Sequence, residues 1–301
     1  KVHEFNARIV SKRIQFKKII ELAKLFELEP EIYFPHQLDF RGRAYPIPMF
    51  MNPQGVEYAR ALLQFSKGER MGNNPESGKW LAIHGANQYG EDKCSLEERV
   101  EWVKKNEEFI LESARNPLNH DFWKSADKPF CFLGFCFEWL GFKENGESHL
   151  THIPVSVDGS CNGLQVFSLL LKDEVGGAAT NLIPSDKPQD IYGIVADRCI
   201  AALKKETSNE LYKPKCRWTR KEIAQEWLRI GVDRKLCKRP VMVVPYSGTL
   251  YSCRGYIEDY LREDLKGNHS WGDDVFYPTN FLAQIMWRQI DSTVVKAREA
   301  M

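Results

Sequence analysis

The sequence predicts an α+β fold that is mostly helical. Apolar residues recur at helical spacing along much of the chain. Capping boxes at Ser95 and Thr219, each with a glutamate three residues later, mark two helix starts. The clearest strand pattern is the β-branched stretch His152 to Val157, which leads into a turn at Asp158. We therefore expect many helices and a small sheet.

The predicted helices can be placed in chain order. The first rests on the helical spacing of apolar residues between Phe16 and Phe26. The helices that start at the two capping boxes should end before Pro117 and at Gly231, since both residues disfavour helix continuation. The full set covers residues 1–28, 95–116, 129–140, 163–175, 188–205, 219–231, 234–246, 249–265 and 280–301.

Composition places the chain among ordinary globular proteins. Of its 301 residues, 43% are hydrophobic and 28% charged, a balance that disordered chains do not have. A formal net charge of +1 excludes a uniformly basic coat protein and an acidic tail. The longest apolar stretch, Phe130 to Phe142, is interrupted by Glu138 and is shorter than the roughly 20 residues of a membrane span. We expect no membrane partner.

The eight cysteines show neither a CxxC pair nor a Cys/His quartet at zinc spacing. This usage predicts a reduced, intracellular protein without structural zinc. The chain begins at Lys1 without a targeting segment, and it stops at Met301 within a predicted helix. We therefore expect it to be part of a longer polypeptide.

Charge is distributed unevenly along the chain. Residues 1–20 carry six basic side chains against one acidic, and residues 211–239 carry ten against three. Two basic segments in a nearly neutral chain suggest a polyanionic partner. Solvated helix faces explain the same charges equally well.

A carboxylate stands at the end of the predicted strand. Asp158 precedes Gly159, whose backbone can approach a ligand closely. Carboxylate and carbonyl oxygens at such a place suit a hard cation such as Mg²⁺. Taken alone, Asp-Gly is also an ordinary turn.

Arg234, Lys238, Met242 and Tyr246 follow one another at strict four-residue steps. On an α-helix this spacing forms one gently winding stripe. The two cations at one end of the stripe could hold a triphosphate. The Met242 thioether and the Tyr246 phenol would then lie near the base and sugar of that nucleotide. An amphipathic surface helix is the alternative. Pro245 predicts that the helix bends or ends at Tyr246.

Arg41 and Arg43 flank a glycine after a Pro-His turn. Two guanidinium groups so close together can clamp phosphates bidentately. Surface arginines near a turn are also common, so this motif alone is weak.

In order and spacing, three segments resemble the single-subunit RNA polymerases of bacteriophage and mitochondrial type. They are residues 34–45, 157–165 and 234–246. Further matching blocks lie at 52–55, 83–87, 129–133, 172–177 and 188–193. The resemblance runs from about Ile20 to Met301. It implies a right-hand polymerase architecture: 1–29 the end of a thumb helix, 30–174 the first part of the palm and 175–301 most of the fingers.

The resemblance also implies roles for individual residues. Asp158 is similar to the first catalytic aspartate, which bridges two Mg²⁺ ions, with the Gly159 carbonyl as a further ligand. Lys238 would meet the incoming triphosphate and Tyr246 would sense its sugar and base. The remaining assignments are Arg234 and Met242 at the nucleotide, and Arg41, Arg43 and Arg239 at nucleic acid.

The implied activity is DNA-templated RNA synthesis from ribonucleoside triphosphates by two-metal catalysis. The implied partners are a DNA template and the RNA transcript. The implied location is the cytoplasm of an infected bacterial host or, as the alternative, an organelle matrix. A related right-hand DNA polymerase and a non-catalytic nucleic-acid-binding fragment remain alternatives.

Two features depart from the family pattern or limit the expected activity. Ser247 stands between Tyr246 and Gly248, where the family usually has glycine directly after the tyrosine. The second catalytic carboxylate of the family falls beyond residue 301, and Asp173 and Glu174 are expected to face solvent. We therefore expect residues 1–301 alone to be catalytically silent.

Overall fold

The computed structural model describes residues 2–156, 159–265, 268–294 and 296. They fall into two compact units, Lys1–Val157 and Asp158–Met301. Described helices of the first unit are α1 (Val2–Phe26), α2 (Glu57–Ala61), α3 (Ser77–Tyr89), α4 (Leu96–Lys105), α5 (Glu107–Arg115) and α6 (Pro129–Asn145). Its described strands are β1 (His36–Leu38), β2 (Ala44–Pro46), β3 (Glu69–Arg70) and β4 (Leu150–Thr151). β1 pairs antiparallel with β2, and β3 with β4.

The described part of the second unit is built from helices. They are α7 (Asn162–Leu171), α8 (Glu174–Ala179), α9 (Ile191–Lys204), α10 (Arg220–Ile230), α11 (Arg234–Met242), α12 (Leu250–Glu263) and α13 (Phe276–Asp291). A 3₁₀ turn, Val244–Tyr246, follows α11. Within the described ranges, no helix is long and apolar enough to cross a membrane.

The mostly helical prediction is confirmed, and so are both capping boxes. At Ser95 and at Thr219 the side chain accepts from the backbone of the glutamate three residues on, and that glutamate accepts in return from the capping N–H. α10 ends at Gly231, whose φ of 92° lies in the region that glycine adopts without steric cost.

Two helices predicted as continuous are each broken. The one predicted for 95–116 is interrupted at Asn106, whose backbone and side-chain nitrogens both donate to the Trp102 carbonyl. The one predicted for 163–175 is interrupted at Lys172, which has a left-handed backbone with φ of 52°. The helix predicted from residue 188 begins only at Ile191, after the capping side chain of Asp190.

The strand predicted for His152 to Val157 is wrong over its described part. β4 comprises only Leu150 and Thr151, because its partner β3 is two residues long. Residues 152–156 lie outside any strand, and Pro154 has no N–H to donate to a ladder. Val157 lies outside the described residues.

Each unit has its own hydrophobic core. In the first unit Phe132 and Phe135 of α6 are fully buried against α3, where Gly85 leaves room for the Phe135 ring. A Cβ at Gly85 would lie 2.2 Å from that ring, so only glycine fits there. In the second unit Trp227 is fully buried, and its indole N–H donates to the Pro278 carbonyl at 3.0 Å.

Candidate functional site

Helix α11 has one buried face and one exposed face. Asp233 caps its start by accepting from the Leu236 N–H at 2.8 Å. Leu236 and Val241 are buried in the core of the second unit. Lys238 and Met242 lie on the exposed side, and Met242 is 44% exposed. The predicted stripe is therefore present from Arg234 to Met242.

Tyr246 lies beyond the end of α11, because the α-helix ends at Met242 and not at Tyr246 as Pro245 predicted. It closes the 3₁₀ turn Val244–Tyr246, and its side chain is 66% exposed. The next residue, Ser247, has φ of 62°, a left-handed conformation that usually favours glycine. Gly248 is needed for space, since a Cβ there would lie 2.8 Å from the Val243 side chain.

Arg234 is held by residues at the start of α9. Its Nε donates to Asp190 Oδ2 at 2.7 Å, and its guanidinium lies 5.0 Å from the centre of the Tyr192 ring. The same Asp190 caps α9 by accepting from the Tyr192 N–H. Arg234 is thus oriented by an ion pair and by a cation–π contact.

The other cations of α11 differ in their pairing. Lys235 forms an ion pair with Asp264, and Arg239 pairs with Asp259 at 3.4 Å. Lys238 is exposed and has no ion-pair partner among the residues that the structure describes. Lys238 is thus the α11 cation most open to an added anion.

The loop before α7 belongs to the second of the three matching segments, residues 157–165. Val157 and Asp158 lie outside the described residues, so the predicted metal ligand is not placed. From residue 159 onward the loop is anchored to the unit: Asn181 donates to the Ser160 hydroxyl at 2.8 Å. Cys161, with φ of 56°, directly precedes α7, and its thiol lies close to the Tyr192 hydroxyl. Burial raises the pKa of Cys161 and that of Tyr192.

The matching segments 157–165 and 234–246 meet at Gly163. A Cβ on Gly163 would lie 2.9 Å from the Pro245 ring and 3.5 Å from the Tyr246 hydroxyl. Glycine therefore lets the start of α7 approach the turn that follows α11. Tyr192 makes a second link, because it touches both Cys161 and Arg234.

Arg41 and Arg43 lie in the first unit, at the turn of the β1–β2 hairpin. Arg41 donates to Asp39 from Nε at 3.0 Å and from Nη2 at 2.8 Å. Asp39 also accepts the Arg43 N–H. That backbone bond and then the Arg41 guanidinium hold the pKa of Asp39 below its usual value. The Arg43 side chain is exposed.

Asp190 and Tyr192 belong to the matching block 188–193, and the sequence alone assigned neither of them a role. A capping pattern at Asp190 was visible in the sequence, but its ion pair with Arg234 spans 44 positions.

The expectation that Asp173 faces solvent is wrong. Asp173 is 4% exposed, because it caps α8 and accepts from the Lys296 N–H. Glu174 is exposed, as expected.

Among the described residues, no group of three or more histidine, cysteine or acidic side chains is arranged to hold a metal ion. All eight cysteines are free thiols. The donors predicted for Mg²⁺ begin with Asp158, which lies outside the described ranges.

Residues 72–301 match the DNA-dependent RNA polymerase family. The DNA-directed RNA polymerase of Enterobacteria phage T3 is 37% identical over 319 residues, covering 100% of this chain and 35% of the relative. T7 RNA polymerase of Escherichia phage T7 is 37% identical over 310 residues, covering 97% of this chain and 34% of the relative. The mitochondrial DNA-directed RNA polymerase of Neurospora crassa is 37% identical over 239 residues, covering 78% of this chain and 16% of the relative. The chain thus spans about a third of the length of these phage relatives.

Proposed function

Because this chain belongs to the DNA-dependent RNA polymerase family, we propose that it carries the nucleotide-binding part of a polymerase that makes RNA on a DNA template. One observation carries the proposal most directly. The exposed face of α11 presents Lys238 without a described ion-pair partner, beside an oriented Arg234 and next to the turn of Tyr246. Such a face suits a nucleoside triphosphate.

Lys238 and Arg234 would bind the phosphates. An arginine has five N–H donors, and Asp190 takes only the Nε–H of Arg234, so the other donors can reach a phosphate. Lys238 would neutralise charge that grows on the pyrophosphate as the RNA 3′-hydroxyl attacks the α-phosphate. Preorganised cations of this kind favour the transition state over the ground state.

Met242 and Tyr246 would contact the base and the sugar. Both side chains are well exposed, at 44% and 66%, on the C-terminal side of the two cations. The left-handed backbone at Ser247 turns the chain directly after Tyr246. The Gly163 contact fixes that turn against α7, so Tyr246 is held near the loop that follows Asp158.

Asp158 and the Gly159 carbonyl are proposed to hold Mg²⁺. Carboxylate and carbonyl oxygens are the donors that Mg²⁺ prefers, and phosphate oxygens and a further carboxylate would complete the set. When bound, Mg²⁺ would neutralise charge on the attacking and leaving oxygens. By family resemblance, that further carboxylate lies beyond residue 301.

We propose that Arg41, Arg43 and Arg239 contact the DNA template or the RNA transcript. All three are exposed, and Arg239 lies 4.2 Å from the centre of the Tyr256 ring while its partner Asp259 is solvent-accessible. The right-hand architecture with thumb, palm and fingers boundaries at 29/30 and 174/175 stays part of this proposal. We also propose that the protein acts in the cytoplasm of an infected bacterium or, alternatively, in an organelle, as the phage and organelle relatives suggest.

Primer extension by the full-length protein tests the proposal. We expect template-dependent incorporation of ribonucleotides in preference to deoxyribonucleotides. Asp158→Asn should abolish incorporation and leave DNA binding intact, whereas the exposed Asp186→Asn should behave as wild type. Extension with deoxyribonucleotides alone, or normal extension by Asp158→Asn, would overturn it. Residues 1–301 alone should not incorporate nucleotides.

A further inference from the structure

A basic loop, residues 211–219, forms the second part of the connection between α9 and α10 in the second unit. It contains Lys213, Lys215 and Arg217 and no acidic residue. The Cys216 N–H donates to the Lys213 carbonyl at 2.9 Å, so a tight turn carries Lys215 at its tip. All three cationic side chains are exposed.

The basic loop is firmly attached to the core. Leu211 and Thr219 form an antiparallel bridge that closes it. Tyr212 is 7% exposed, and its hydroxyl donates to Asn280 at 2.6 Å. Cys216 is 4% exposed in the same core. The cations are therefore presented on an ordered support.

The three cations are not neutralised by ion pairs. None has an ion-pair partner within the part of the chain that the structure describes. Of the nearby acids, Glu206 pairs with Arg220 at 2.6 Å and Glu222 closes the capping box of α10, while the exposed Glu210 just before the loop acts on Arg220. The ends of a β-turn lie within about 7 Å of each other, so the loop concentrates three like charges at one exposed place.

The chemistry of the basic loop fits a double-stranded DNA backbone. Proteins that bind single strands combine cations with exposed aromatic rings on which bases stack. Here Tyr212 is buried and Trp218 is packed against the core, so the loop offers charge without a stacking surface. Contacts of this kind hold duplex phosphates without reading sequence.

We infer that the basic loop is a sequence-independent contact for the phosphate backbone of duplex DNA. The inference rests on the proposed function only in its choice of DNA, because the basic loop is separate from α11 and from residues 157–165. It gives a function to a part of the basic segment 211–239 that lies outside α11.

The test is binding of a short fluorescent DNA duplex to the 301-residue chain, measured by anisotropy over a range of salt concentrations without nucleotides. The variant is Lys213→Gln, Lys215→Gln and Arg217→Gln combined. The matched control removes three exposed lysines of the first unit: Lys67, Lys104 and Lys105, each to Gln. Circular dichroism checks that both remain folded.

We expect the basic-loop variant to lose at least about tenfold in duplex affinity at roughly 0.1 M salt. The slope of log affinity against log salt should fall by about 2 to 3, because each lost phosphate contact removes about 0.9. The control should lose less than about threefold. The single variant Lys215→Glu, which changes only an exposed turn tip, should weaken binding more than Lys215→Gln.

Three results would overturn the inference: no duplex binding by the unaltered chain, equal losses in variant and control, or a loss confined to single-stranded RNA. Failure of the proposed function appears differently. In that case the full-length protein would not add nucleotides, whereas salt-dependent duplex binding through the basic loop would persist.

Discussion

Replacing Gly163 by alanine should disturb the contact that joins α7 to the turn of Tyr246. The added Cβ would lie 2.9 Å from Cβ and Cγ of Pro245, closer than carbon atoms can remain. The proline ring cannot move aside by rotation, so the turn or the helix must shift. Overpacking of this kind costs about 1 to 3 kcal/mol. Gly163 lies in the first turn of α7, where the better helix propensity of alanine offsets about 0.5 kcal/mol, which leaves a net loss of about 0.5 to 2.5 kcal/mol.

Urea denaturation of the 301-residue chain measures this loss. Gly255→Ala is the matched control, since Gly255 lies in α12 and a Cβ there meets no atom within 4 Å. That control should stabilise the chain by about 0.5 to 1 kcal/mol. In the full-length protein Gly163→Ala should also raise KM for nucleotides by displacing Tyr246. A Gly163→Ala chain as stable as wild type would show that α7 and the turn do not meet in solution.

Three further predictions address single residues. Asp190→Ala should destabilise the fold by about 1 to 2 kcal/mol, because it removes a helix cap and the ion pair with Arg234. Asp190→Asn keeps the cap and should cost less than about 1 kcal/mol, so equal losses of the two variants in urea denaturation would contradict the cap. Ser247→Gly should stabilise by about 0.5 to 1 kcal/mol by relieving a φ of 62°, and a lowered melting temperature would refute this. The hydrogen bond from Arg229 lowers the pKa of Glu226 from 4.5 to about 2, so this carboxylate stabilises the fold above about pH 4.5 and the benefit is lost as pH falls towards 2. Glu226→Gln should therefore flatten the fall in melting temperature between about pH 5 and pH 3, and an unchanged fall would contradict the assignment.

The helices could be predicted from the sequence wherever local chemistry defines them. The capping boxes at Ser95 and Thr219 are complete within four residues, so tertiary packing was not needed to find them. The breaks at Asn106 and Lys172 were missed because neither residue is the glycine or proline that usually interrupts a helix.

In the candidate site, too, local spacing could be predicted from the sequence, whereas contacts that depend on tertiary packing could not. The spacing of Arg234, Lys238, Met242 and Tyr246 predicted one helical stripe. α11 carries the first three, whereas Tyr246 lies in the 3₁₀ turn that follows. The ion pair between Arg234 and Asp190 could not be predicted, because it depends on how α9 packs against α11. The strand prediction failed for a similar reason: strand length is set by the partner strand, not by β-branched residues alone.

The proposal that α11 binds the triphosphate through Lys238 is tested most directly by nucleotide-addition kinetics. In the full-length protein, single-turnover incorporation is compared for Lys238→Ala and Lys235→Ala, two substitutions on the same helix. Lys235 is paired with Asp264, whereas Lys238 has no ion-pair partner in the described ranges. We expect Lys238→Ala to lower kcat/KM by about 30-fold to 1,000-fold, or about 2 to 4 kcal/mol, and Lys235→Ala to lower it by less than about threefold. Equal effects of the two variants, or a Lys238→Ala protein within about threefold of wild type, would contradict the proposal.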